Sequence, residues 1–147
     1  MTTPPMSIVV KDLLVDAGIG VFGVPATVDL WPIFIGSEPD DLNGLDNCLT
    51  IYDRGGEPPN PKFLLDFPRF QIRVRSNSYE DGWNKASEAR ELLLGLPSQT
   101  IGVVRYDGVY VTIDTRMLMA DTKGRPIFVT DYRVIREPAT GTNRVSL

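Results

Sequence analysis

The sequence predicts an α+β domain: a single antiparallel or mixed sheet of four to five strands, with two main helices packed on one face. Three observations carry this reading. The stretch 69–76 alternates strictly, Phe70, Ile72 and Val74 pointing one way and Arg69, Gln71, Arg73 and Arg75 the other. Residues 78–95 have the caps and spacing of an amphipathic helix, and residues 109–136 read as two long strands joined by a turn. At 147 residues the chain has the length of one domain, large enough to bury a sizeable core.

Taken in order, residues 1–6 are expected to form a flexible arm ending after Pro4 and Pro5. Ser7 is the expected cap of a helix reaching about Ala17. Ile8, Leu14 and Val15 form its apolar stripe opposite Lys11 and Asp12, and Gly18 and Gly20 stop it. Ile33 to Gly36 and Cys48 to Tyr52 read as short strands, separated by the polar turn SEPDDLNGLDN with Asn43-Gly44 as its turn dipeptide. Residues 53–62, rich in Gly and Pro, can form neither helix nor interior strand. Four large apolar residues then crowd between Pro61 and Pro68. Phe63, Leu64, Leu65 and Phe67 either plug a sheet edge or form a buried anchor at a subunit contact.

Beyond the alternating strand, Ser78 caps the second helix with Asp81 three residues later, a variant of the capping box. Tyr79, Trp83, Ala86, Ala89 and Leu93 share one face, and Gly95 stands at the C-terminal end. Gly82 costs about 1 kcal/mol against alanine there, which packing of Trp83 is expected to offset; Trp31 and Trp83 both read as core. Tyr106-Asp107-Gly108-Val109 reads as a two-residue hairpin. Val109 to Met119 is a strand with Val111, Ile113, Met117 and Met119 on one face, and Asp121 to Gly124 turns into a last strand over residues 126–136. The tail 138–147 is expected to be disordered in the free protein. The whole is one domain with a loose arm and a loose tail.

Composition narrows function. There is no histidine, so the commonest general base and metal ligand is missing. Cys48, the single cysteine, allows no intrachain disulfide, redox pair or thiolate zinc site, and reads as a small buried hydrophobe. Gly55-Gly56 is followed by prolines in place of the Lys-Ser/Thr and helix of a P-loop. Asp40, Asp41, Asp46 and Asp53 lack the spacing of a calcium loop and read as a solvated turn. No lysine sits in a serine–lysine arrangement, and Asp66, Glu80 and Asp81 have no supporting base or nucleophile. The expectation is a protein that is not an enzyme and uses no cofactor or metal. A net charge of −4 argues against non-specific nucleic-acid binding. No apolar run approaches a membrane span, and the N-terminus lacks a signal-peptide pattern, which suggests the cytoplasm or a particle assembled there.

The row Arg69, Arg73, Arg75 stays open between three readings: a solvated sheet face, pairing with carboxylates of a neighbouring subunit, and contact with DNA in a channel. With the loop residues Arg54, Gly55, Gly56, Pro58, Pro59, Asn60 and Pro61, with Phe63, and with Asp40, Asp41 and Asp46, it makes up the candidate interface.

Three segments carry a family resemblance: IYDRGGEPPNPKFLLDFPRFQIRVRS, EDGWNKASEARELLLGLPSQTI and GRPIFVTDYRVIREP. Their content and order resemble the minor capsid, or tail terminator, proteins of long-tailed bacteriophages. The resemblance implies a structural virion protein, assembled in the host cytoplasm and placed at the head–tail junction. It implies a homohexameric ring that caps the tail tube, halts its polymerisation and offers a joining surface, with the tail tube protein and a head–tail connector as partners. A head-completion protein on the portal side is the alternative, and a DNA-contacting domain a more distant one. The Arg69/Arg73/Arg75 row and the Asp40–Asp46 turn would then supply the two complementary patches that a head-to-tail ring needs.

Overall fold

A computed structural model of the chain describes residues 3–23, 30–39, 46–58 and 64–137. The elements run α1 (Met6–Asp16), β1 (Val21–Phe22), β2 (Pro32–Ile35), β3 (Cys48–Arg54), β4 (Arg69–Arg75), α2 (Tyr79–Leu94), β5 (Gln99–Ile101), β6 (Val104–Ala120) and β7 (Pro126–Glu137). The strands form one seven-stranded sheet in the order β1-β2-β3-β4-β7-β6-β5. β1, β2 and β3 pair in parallel, and the other pairs are antiparallel.

The expected sheet of four to five strands is therefore too small. The correction comes from β1 and β5, two short edge strands too brief to show any hydrophobic period. β1 is held by Val21 N–H donating to the Trp31 carbonyl at 2.9 Å and Gly23 N–H to that of Ile33 at 3.1 Å. A second correction concerns Asp107-Gly108. It forms no hairpin turn: it lies inside β6, where the register with β7 slips between Tyr106 and Gly108. The turn comes earlier, at Gly102, whose φ of 62° suits a residue without Cβ. Further slips along β6 break its alternation, so Ile113, Met117 and Met119 stand exposed.

β4 lies at the centre, flanked by β3 and β7 over its full length. Its Phe70, Ile72 and Val74 meet Leu49 and Ile51 of β3 and Phe128, Tyr132 and Val134 of β7 in one core. The same core receives Met6, Val9, Val10 and Leu14 of α1 and Ala86, Ala89 and Leu93 of α2. Phe70 and Tyr132 stack with ring centroids 4.8 Å apart.

Both helices are set by their ends. Ser78 caps α2 as expected, its side chain accepting the Asp81 N–H. α1 starts two residues earlier than expected, after Pro5, and Ser7 is not its cap. Instead Asp53 of β3 reaches over, its Oδ1 accepting the Ser7 backbone N–H at 2.9 Å and its Oδ2 the Ser7 hydroxyl. A carboxylate there also complements the positive end of the helix. The buried stripe is shifted accordingly, and Ile8 is exposed. On α2, Gly82 lies against the Phe128 ring, where an added Cβ would come within 2.9 Å of it. That close approach leaves Tyr79 and Trp83 outside the core. They lie edge-on to Phe128 with centroids at 4.9 and 5.9 Å, while Trp31 is half-buried against the core.

Candidate functional site: an arginine-rich sheet face

The second face of β4 carries Arg69, Gln71, Arg73 and Arg75, and register decides what each meets. Arg75 lies between Cys48 and Ile127, Arg73 between Thr50 and Val129, Gln71 between Tyr52 and Asp131, and Arg69 between Arg54 and Arg133. The face therefore grades from a covered, apolar end to an open, charged end.

At the covered end Arg75 is only 2% exposed. Its Nε donates to the Asp46 carbonyl at 3.1 Å and its Nη1 to the Pro39 carbonyl at 3.0 Å, so it tethers the chain on either side of residues 40–45. Asp46 also meets Arg125 at 3.3 Å, and Arg125 in turn pairs with Asp121 at 2.7 Å. Cys48 is buried beside this cluster as a free thiol, and burial pushes its pKa up to about 11.

In the middle Gln71, itself buried, organises the charges. Its Oε1 accepts Arg54 Nη2 at 2.8 Å and Arg73 Nε at 3.0 Å, and its Nε2 donates to Asp131 Oδ1 at 2.9 Å. Arg116 of β6 closes the chain by donating to Asp131 Oδ2 at 2.9 Å. The Arg73 guanidinium lies 5.0 Å from the Tyr52 ring centre. Burial first, then the nearby Glu38 carboxylate, push the Tyr52 phenol above its usual range.

At the open end three arginines stand side by side on adjacent strands: Arg54, Arg69 and Arg133. Like charges directly opposed across strands repel. Arg133 lies over the Phe67 ring and 3.9 Å from Glu57, while its Nε is buried without a hydrogen-bond partner. Arg69 is exposed, and its side chain makes no hydrogen bond or ion pair among the described residues. Arg54, Arg69, Gln71, Thr112, Ile113 and Asp131 line a hollow of about 220 Å³ here.

The structure thus brings Arg54, Arg69 and Arg73 together, turns Arg75 inward and separates Asp46 from them. Gly55, Gly56 and Pro58 follow Arg54 on the surface. Gly56 lies against the 67–68 backbone, where a Cβ would come within 2.1 Å of the Phe67 carbonyl oxygen. Leu64 is exposed, Leu65 and Phe67 are half-buried, and Asp66 exchanges two backbone hydrogen bonds with Arg136 of β7. Asp40, Asp41, Pro59, Asn60, Pro61, Phe63 and the 138–147 tail lie outside the described residues. Sequence reasoning missed Arg116, Asp131 and Arg133. The alternation of Asp131 and Arg133 within DYRVIRE was the available signal, matching that of β4.

Guanidinium groups gathered on an open sheet face suit recognition of carboxylates or phosphates by planar, paired hydrogen bonds. Among the described residues no group of three or more acidic or cysteine side chains is placed to hold a metal ion. No helix among them is long and apolar enough to cross a membrane. The chain belongs to the bacteriophage tail terminator family, whose model matches residues 13–138. It is therefore a structural component of the phage tail and of the virion. A comparison with curated proteins finds no match.

Proposed function

We propose that this chain closes into a homohexameric ring on the end of the tail tube, stops tube polymerisation and presents the surface to which the filled head joins. The family match over residues 13–138 carries this reading. The arginine face supplies a physical means. Arg54 and Arg69 stand opposed with little to neutralise them inside the subunit, so acidic groups from a neighbouring subunit lower the repulsion as the ring closes. Asp40 and Asp41 are the proposed acidic patch, and residues 55–61 with Phe63 are proposed to take part in the same contact. Arg75 supports it indirectly, by holding Pro39 and Asp46 on either side of that patch.

The test is the mass of the purified protein in solution, repeated after mixing with preformed tail tubes. A stable ring, or one that appears only on tubes and caps their ends, supports the reading. A monomer that ignores tubes overturns it and moves the weight to a connector on the portal side.

A further inference from the structure

A second surface lies away from the arginine face, where α1 runs beside β5. Ile8, Leu13, Ile101 and Val103 wall an apolar groove of about 490 Å³, and Asp12 and Asp16 lie along it one helical turn apart. Lys11 pairs with Asp12, whereas Asp16 makes no ion pair among the described residues. Ile8, Ile101 and Val103 are 43%, 36% and 40% exposed, a contiguous apolar surface that water covers poorly. β5 is also the last strand of the sheet, so among the described residues its outer edge has no strand partner.

The place where the described chain ends identifies an occupant. Arg136, one residue before the end of β7, donates from Nη1 to the Pro4 carbonyl at 2.8 Å, and Pro4 is itself part of the groove wall. β7 therefore ends beside the groove. The ten residues 138–147 span up to about 33 Å when extended, more than the roughly 12 Å of helix between Ile8 and Asp16. Their composition matches the walls. Arg144 is the one charged residue in PATGTNRVSL, opposite in sign to Asp12 and Asp16. In an extended chain Val145 and Leu147 point to one side while Arg144 and Ser146 point to the other.

We infer that the α1–β5 groove is the seat of residues 138–147 of the same chain, with Val145 and Leu147 on the apolar wall and Arg144 toward Asp12 and Asp16. Tethering makes this feasible with weak contacts, because a short flexible link supplies an effective concentration of about millimolar. The seat does not depend on ring formation.

The test uses the full chain with Val103→Cys and Val145→Cys, Cys48 staying in its buried position, under mild oxidation. The expected result is a disulfide within one chain. It forms many-fold faster than in a control carrying Leu118→Cys and Val145→Cys, since Leu118 is exposed on the far part of β6. Adding Arg144→Glu slows the reaction severalfold, and adding Asp16→Arg to that variant restores it. Cross-linking no faster than the control overturns the inference. So does a disulfide that joins two chains, which would assign the groove to a neighbouring copy.

Discussion

Gln71 donates its side-chain N–H to Asp131 at 2.9 Å while its oxygen accepts from both Arg54 and Arg73, so one neutral amide holds an acid and two bases in place. Gln71→Leu removes the acceptor for two guanidinium groups and a donor to a carboxylate. Arg54 is exposed and Arg73 and Asp131 are half-buried, so water can replace part of what is lost. The net cost of the hydrogen bonds is about 1 kcal/mol. The expected outcome is a folded protein with a lower urea midpoint and an unchanged slope. A midpoint equal to that of the parent chain refutes the organising role.

α1 is capped from outside itself, which gives a separate expectation. Asp53→Ala removes the acceptor for the Ser7 N–H and hydroxyl, and loss of an N-cap costs about 1 kcal/mol. Hydrogen exchange locates the effect: protection falls in the first turn of α1 and stays unchanged in α2. A uniform loss over both helices would mean that Asp53 supports the fold as a whole.

These two sites also mark what can be read from sequence. β4 and α2 were legible because their signals are local, a two-residue period and a cap three residues from its partner. Asp53 and Ser7 are separated by 46 positions, so only tertiary structure makes one the cap of the other. Arg75 has the same alternation as Arg69, yet one is buried and the other exposed. What lies over each end of the face decides that, and periodicity carries no information about it. Asp107-Gly108 misled because glycine accommodates a bulge as readily as a turn. Arg133 joins Arg69 only through strand register, across 64 residues of chain.

Gly82→Ala sets two effects against each other. Alanine gains about 1 kcal/mol in helix propensity, but its Cβ would lie 2.9 Å from the Phe128 ring and 3.1 Å from Ser76 Cβ. Overpacking a core costs about 1–3 kcal/mol, so the variant is expected to melt at a lower temperature. Phe128→Leu in the same chain relieves the clash, and the two changes together should cost less than the sum of each alone. Simple additivity would show that the contact carries no strain.

Cys48 sets a pH expectation. Burial raises its pKa from 9.0 to about 11, because the thiolate is poorly solvated there. At pH 8 the thiolate fraction is lower by about a hundredfold than for an ordinary cysteine, and the side chain is 1% exposed. A thiolate-specific reagent is therefore expected to modify Cys48 only after the protein opens. The sign for stability follows: the neutral thiol favours the folded state fully below pH 9, and that contribution is lost as pH rises through 9 toward 11. Cys48→Ser removes the thiol titration, so its stability relative to the parent chain should rise across that window. Rapid labelling under native conditions at pH 8 would contradict the buried, neutral thiol.

Arg69→Glu tests the docking face with the least risk to the fold. Arg69 is exposed and its side chain has no hydrogen bond or ion pair among the described residues, whereas the neighbouring Arg54 and Arg73 are both held by Gln71. Reversing its charge places a carboxylate between Arg54 and Arg133, which removes the like-charge repulsion across the three strands. The free subunit is therefore expected to be as stable as the parent, or slightly more so. The same change takes away the surplus positive charge that a neighbouring acidic patch would meet, and a repulsive juxtaposition at an interface costs several kcal/mol. Ring formation on tail tubes should fail and tubes should grow past their normal length, while thermal unfolding of the subunit stays intact. Normal rings and normal tube length with Arg69→Glu would exclude the open end of this face from the subunit contact.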